Sequence, residues 1–275
     1  MEYKIVSDSG CDLTPELKME LIIETVPLSM TLGSATYKDD ENLDVDNFLA
    51  EMHRHKELPR SSCPSPYDFM EKCEEGKINF IVTLSSKLSG SYDSALVAKD
   101  ILSEKGIEAH VFDSKSASAG QLLVVKKLRD LVNTGQDKKE IIERLEDFIK
   151  RLKTFFVLEN LENLLKNGRM NKVTGLIASV LNIRLIMAGN EHGEIVLHSK
   201  VKGSQNSIVK LAEIIGDTCK DTADRVLAIG HCNNKHIDLF MKIVKEKYSF
   251  KDIIVTPTRG LTGMYANYGG IVIAF

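Results

Sequence analysis

The sequence predicts an α/β protein of two domains: an N-terminal parallel-sheet α/β/α domain at residues 1–152 and a C-terminal α/β domain at residues 153–275. Three observations carry that reading. Through the first half, short apolar runs alternate with helical segments of about 10–15 residues, the pattern of a parallel sheet covered by helices. Between residues 150 and 160 the pattern changes, and strands begin to follow one another across a hairpin-like spacer. The chain has 275 residues, which at roughly 150 residues per domain allows one or two domains. With 43% hydrophobic and 27% charged residues, the composition is that of a folded globular chain rather than a disordered one.

The elements follow in order. Residues 3–7 read as a first strand. Thr14 as N-cap and Pro15 at the first helical position open a helix over 15–24. A strand is expected at 26–32 and a short extended piece at 35–38. Asp44 caps a helix to about residue 53, and Ser65-Pro66 repeats the cap-then-proline signal for a helix to about residue 75. Residues 78–84 form a clean apolar strand, and the polar turn 85–90 leads into a helix ending at Gly106. Strand 107–112, polar turn 113–120, a helix to about residue 133 and a charged amphipathic helix from Asp137 to about residue 153 complete the first half.

The second half begins with strand 154–158 and short helices. Strands 183–188 and 194–198 are separated by Gly189-Asn190-Glu191-His192-Gly193, which suits a hairpin. Helix 204–219, strand 225–231, helix 234–247 and strands 252–256 and 270–274 follow.

Composition also excludes whole classes. No run approaches the roughly 20 apolar residues of a membrane span; the stretch 173–180 is too short. No basic region followed by an apolar block opens the chain, so no signal peptide is read, and the apolar end at 270–275 carries no sorting signal. The five cysteines, Cys11, Cys63, Cys73, Cys219 and Cys232, are odd in number and widely spaced. They support neither a zinc site nor a disulfide framework, and they fit a reducing cytoplasm. The net charge of −3 divides into −9 over residues 1–150 and +6 over residues 151–275. The basic residues are dispersed, so nucleic-acid binding is not expected. The asymmetry reads either as two solvated faces or as a basic docking surface on the second half.

In a parallel α/β sheet, ligands sit beyond the carboxyl ends of the strands. Here those ends are rich in hydroxyls: Ser7-Asp8-Ser9-Gly10, Ser85-Ser86-Lys87-Leu88-Ser89-Gly90-Ser91 and Asp113-Ser114-Lys115-Ser116. Arg60-Ser61-Ser62-Cys63-Pro64-Ser65-Pro66 lies between them. Each motif alone reads as helix capping. Their recurrence also reads as hydroxyl and backbone donors converging on one anion. Asp8 and Asp113 could hold Mg²⁺ or accept backbone hydrogen bonds. No phosphate loop, dinucleotide fingerprint, nucleophile elbow or His-Glu-x-x-His is present, and the histidines are too scattered for a metal set. Asn167-Gly168-Arg169 fits a helix C-cap followed by an exposed arginine.

These motifs, in order, resemble the DegV family, the fatty-acid-binding proteins of bacterial fatty acid kinase systems. Asp8-Ser9-Gly10-Cys11-Asp12-Leu13 is similar to the family's N-terminal element. Ser61-Ser62-Cys63-Pro64-Ser65-Pro66 resembles its Thr-Ser-Gln-Pro-Ser-Pro, and residues 84–95 give the strongest match. Asp113-Ser114-Lys115-Ser116-Ala117-Ser118 follows, and residues 161–169 resemble the Leu-x-x-Leu-x-x-Gly-Gly-Arg segment. The resemblance implies two α/β domains with a lipid tunnel between them. It implies a carboxylate held by Ser61 and Ser89, with Ser62 and Gly90 beside them and Ser9, Ser114 and Tyr265 as additional pocket residues. It also implies an exposed Arg169 in contact with a separate kinase that makes acyl-phosphate. The ligand would be a long-chain fatty acid, exchanged transiently with a membrane, with no cofactor and no metal. Departures are Ser61 for threonine, Cys63 for glutamine, Asn167 for the first glycine, and Tyr265-Ala266-Asn267-Tyr268-Gly269-Gly270 where many members carry His-x-Gly-Pro-Gly.

Physical logic runs the same way. Burying about 15 methylenes yields roughly 12 kcal/mol gross, much of it offset by association costs. Two or three donors at about 1.5–3 kcal/mol each offset desolvation of the carboxylate. Neutral donors alone would leave the carboxylate reactive. Two enzyme readings compete with this carrier: a Mg²⁺-dependent enzyme using Asp8 and Asp113 on a phosphorylated small molecule, and a hydrolase using Ser89.

Overall fold

Alternation along each strand of the first half decides its layers. In β1 (Tyr3–Asp8), β6 (Ile78–Thr83) and β7 (Ala109–Asp113), neighbouring residues belong to different apolar clusters. Val6, Ile81 and Val111 face α3 (Pro66–Met70) and α4 (Ser91–Glu104), whereas Ile5, Phe80, Val82 and Phe112 face α5 (Ala119–Asn133). A strand buried on both faces needs helices on both faces, which is the three-layer arrangement of a parallel sheet. With β2 (Ile23–Val26) at one edge, the sheet order is β2-β1-β6-β7, and all its pairings are parallel. The computed structural model describes residues 2–170 and 182–275. The apolar stretch 173–180 and any short helix there lie outside the described residues.

The second half has one open face. β8 (Thr154–Val157), β9 (Ile183–Gly189), β10 (Ile195–Lys202), β11 (Val226–His231), β12 (Asp252–Pro257) and β13 (Ile271–Ala274) form a mixed sheet in the order β10-β9-β8-β13-β11-β12. Phe155, Ile186, Ile229 and Ile273 pack under α8 (Ser204–Thr218) and α9 (Ile237–Lys247). Phe156, Met187, Ala228 and Val272 face the other way, into the cluster that also contains Ile5, Phe80 and Leu122 of the first half. One core therefore runs through the seam between the halves.

Several local readings change. The helix expected at 15–24 is α1 (Pro15–Glu20). It stops because Ile22 adopts φ 49°, and Ile23 starts β2. The strand expected at 26–32 is two strands. β2 ends at Val26, Pro27 cannot donate to a ladder, and β3 (Ser29–Leu32) joins a separate sheet. That sheet, β4-β3-β5, pairs β3 with β4 (Ala35–Lys38) and with β5 (Arg60–Ser62), an element the sequence reading omitted. The helix after Ser65 ends at Met70, five residues short of expectation. α2 (Val45–Arg54), α6 (Lys138–Arg151) and α7 (Glu162–Lys166) fall where helices were expected. α10 (Gly260–Ala266) was not expected. Among the described residues, no helix is long and apolar enough to cross a membrane.

Candidate functional site

The open sheet face of the second half and the strand-end turns of the first enclose a cleft of about 900 Å³, part of it open to solvent. Leu28, Leu84 and Leu88 wall it from the first half, and Phe156, Leu158 and Val272 from the second. Leu164 of α7, Ile195 of β10 and Leu261 of α10 complete an apolar lining.

Four polar side chains meet in this cleft. Ser61 points inward because β5 alternates: Arg60 and Ser62 are exposed, and Ser61 is half-buried opposite Met30. Its hydroxyl lies 2.8 Å from the Tyr265 hydroxyl, where either can donate. Ser89 Oγ accepts the Ser91 N–H at 3.2 Å, and among the described residues its O–H has no acceptor and lines the cleft. Arg169 also lines the cleft, with its guanidinium 5.7 Å from the centre of the Tyr265 ring.

Two buried networks position these groups. Asp8 is fully buried at the end of β1. Its carboxylate accepts from Gly10 N–H (3.1 Å), Gln121 Nε2 (2.8 Å), Leu84 N–H (2.9 Å) and Ser91 Oγ (2.6 Å). Burial raises its pKa and the four hydrogen bonds oppose the rise. The Ser91 whose hydroxyl binds Asp8 is the residue whose N–H fixes Ser89. The second network crosses the seam. Asp12 Oδ1 accepts Arg259 N–H at 2.7 Å, while Asp39 accepts Gly260 N–H at 2.8 Å and Leu261 N–H at 3.1 Å. These first-half carboxylates hold the start of α10, the helix that carries Tyr265. Burial pushes the Asp12 carboxyl up to about 7 and moves Asp39 in the same direction.

A second polar group lines the cleft at Ser116 and Thr154, whose hydroxyls are 2.8 Å apart. Beside them the hairpin spacer docks on the first half. Ser85 Oγ donates to Gly193 C=O at 2.7 Å, and Lys115 Nζ donates to Glu191 C=O at 2.9 Å. Gly193 has φ +81°, and a Cβ there would come within 2.3 Å of Ser85 Oγ, so only glycine allows this contact.

The other expected residues sit elsewhere. Ser62 and Gly90 are exposed and do not line the cleft. Buried Ser9 accepts Leu28 N–H at 3.1 Å, and buried Ser114 is used in its own turn, donating to Ser116 C=O at 3.1 Å. Arg169 is half-buried rather than exposed. It donates from Nη1 to Asn167 C=O at 2.6 Å and from Nε to Leu88 C=O at 3.3 Å. The donors around the cleft are therefore not all neutral, since Arg169 brings a positive charge to its lining. Asp113 accepts Lys115 N–H at 2.8 Å and Ser86 N–H at 3.2 Å. With Asp8 equally committed, the Mg²⁺ reading is not favoured, and among the described residues no cluster of metal-ligating side chains forms.

Residues 2–275 match the family model described as "Uncharacterised protein, DegV family". A DegV domain-containing protein of Streptococcus pneumoniae is 33% identical over 282 residues, covering 100% of this chain and 99% of its own. Among solved structures, a DegV-family protein of Ruminococcus gnavus refined with vaccenic acid has a TM-score of 0.93 at 34% identity, covering 99% of both chains. The Streptococcus pneumoniae Fatty Acid Kinase (Fak) B3 protein loaded with linoleic acid has a TM-score of 0.90 at 33% identity, covering 100% of this chain and 99% of the other.

Proposed function

This chain belongs to the DegV family, and on that premise we propose that it is a carrier: it binds one long-chain fatty acid and presents the carboxylate to a separate fatty acid kinase. The observation that carries this reading is an apolar cleft with a hydroxyl cluster, Ser61, Tyr265 and Ser89, at which a carboxylate can be received. Relatives with about one third identity hold vaccenic or linoleic acid, which supports the ligand class. The name of the second relative supports the kinase partnership.

The geometry divides the work. The acyl chain lies on the apolar walls and sets affinity at about 0.8 kcal/mol per methylene. Ser61 and Ser89 donate to the carboxylate and set its orientation. Arg169 uses two of its five donors on main-chain carbonyls, and the remaining N–H groups on Nη1 and Nη2 bring positive charge to the cleft. The carboxylate stays available for phosphoryl transfer. With part of its surface open, Arg169 is the residue we place against the kinase.

The Ser61→Ala/Ser89→Ala double variant tests the assignment. It should melt like wild type and bind oleate at least tenfold more weakly by titration calorimetry, since two bonds to a charged group are lost. Unchanged affinity would remove both serines from the carboxylate site.

A further inference from the structure

We propose that a second cleft, on another part of the seam, binds a phosphate-bearing small anion. It encloses about 1060 Å³, part of it open, and shares no lining residue with the acyl cleft. Lys126 and Lys127 of α5, Arg151 of α6, Arg225 just before β11 and Lys251 just before β12 surround it. Its floor is apolar, built from Leu123, Phe148, Leu152, Val226 and Phe275.

The charges in this cleft are unbalanced. Two acidic side chains line it, Asp130 and Asp224. Asp130 is taken by Lys126 at 3.2 Å, and Arg151 turns to Asp147, outside the cleft, at 3.5 Å. Lys127, Arg225 and Lys251 make no ion pair among the described residues. Lys127 is held below the ordinary lysine value, first by partial burial and then by the positive charge of Arg144; Asp130 opposes the shift, and Arg151 and Lys251 add to it. Like charges gathered in a concave, partly desolvated place repel one another, and a bound anion relieves that repulsion. Lys126 and Lys127 come from the half that carries −9 overall, whereas Arg151, Arg225 and Lys251 come from the half that carries +6.

The chemistry favours phosphate. Cations arrive from helices on one side of the seam and from strand starts on the other, so they can surround an anion with several oxygens. Arg225 adds a planar fork suited to paired phosphate oxygens. The apolar floor leaves room for an organic group attached to the phosphate. A soluble phosphate ester and a phospholipid headgroup share this chemistry. An anion held here would bridge the two halves that also form the acyl cleft.

The test uses the full chain and two probes, pyrophosphate in titration calorimetry and sedimenting phosphatidylglycerol vesicles. Saturable binding is expected for at least one probe, weakened at least tenfold in Lys127→Gln/Arg225→Gln/Lys251→Gln. Binding to pyrophosphate but not to vesicles assigns a soluble phosphate, and the converse assigns a lipid headgroup. Should the triple variant melt early, Lys251→Gln alone, at an exposed position, should still weaken binding about threefold or more. No saturable binding by either probe, or undiminished binding in the variants, overturns the proposal.

Discussion

Asp8 and Asp12 flank one short turn at the end of the first strand, and both are fully buried, yet they serve different parts of the molecule. Asp8 has four donors, all from its own half, and through Ser91 it sets Ser89. Asp12 reaches across the seam to Arg259, alongside Asp39, and through α10 it sets Tyr265 against Ser61. Both oxygens of Asp8 are hydrogen-bonded, whereas Asp12 Oδ1 takes the Arg259 N–H and the nearby Ser118 hydroxyl, which also lines the acyl cleft, opposes the rise of the Asp12 pKa. One side of the proposed carboxylate site is thus fixed within a domain, and the other depends on how the domains meet. Burial alone does not distinguish the two carboxylates; the origin of their donors does.

The largest effect should come from removing the intradomain anchor. Asp8→Ala leaves several buried donors without an acceptor, and a loss of about 3–5 kcal/mol in urea unfolding is expected. A loss below about 1 kcal/mol would mean that Asp8 is not the anchor of these turns.

The cross-seam anchor should announce itself through pH. Asp12 titrates at about 7 when folded, against an ordinary value of 3.8, so the folded state holds its proton more tightly. That contribution is complete below the unfolded value and is lost as pH rises through about 7. From about pH 4.5 to about pH 8, wild type should lose roughly 3 kcal/mol relative to Asp12→Asn, at about 1.4 kcal/mol per unit. Parallel stability curves for the two proteins would contradict this assignment of the proton.

The smallest change sharpens the comparison at the site itself. Tyr265→Phe keeps the ring beside Arg169 and removes the hydroxyl that meets Ser61. Oleate affinity should fall about two- to tenfold with melting unchanged, the magnitude of one neutral hydrogen bond. An unaltered affinity would place Tyr265 in the wall of the cleft but outside the carboxylate site.

The parallel sheet was legible because short strands rich in apolar residues alternate with helices, and 78–84, with five apolar residues in seven, carries that signal most clearly. β5 was not, since Arg60-Ser61-Ser62 has no apolar alternation and becomes a strand only by pairing with β3. α10 was hidden for a related reason. Gly260 and Gly263 are poor helix formers, and its first N–H groups are held by Asp39, more than 200 residues away in sequence. At the site, the serine-rich strand ends pointed to Ser61 and Ser89, both of which line the cleft. The half-burial of Arg169 was not readable, because it comes from Leu88 and Tyr265, distant partners that no local motif names.

The central claim, a chain built to hold one fatty acid, is tested most directly by native mass spectrometry of the purified protein before and after exposure to oleate. The account predicts a one-to-one complex whose added mass, released by denaturation, is that of a long-chain fatty acid. A protein that carries no lipid and acquires none from oleate would contradict it.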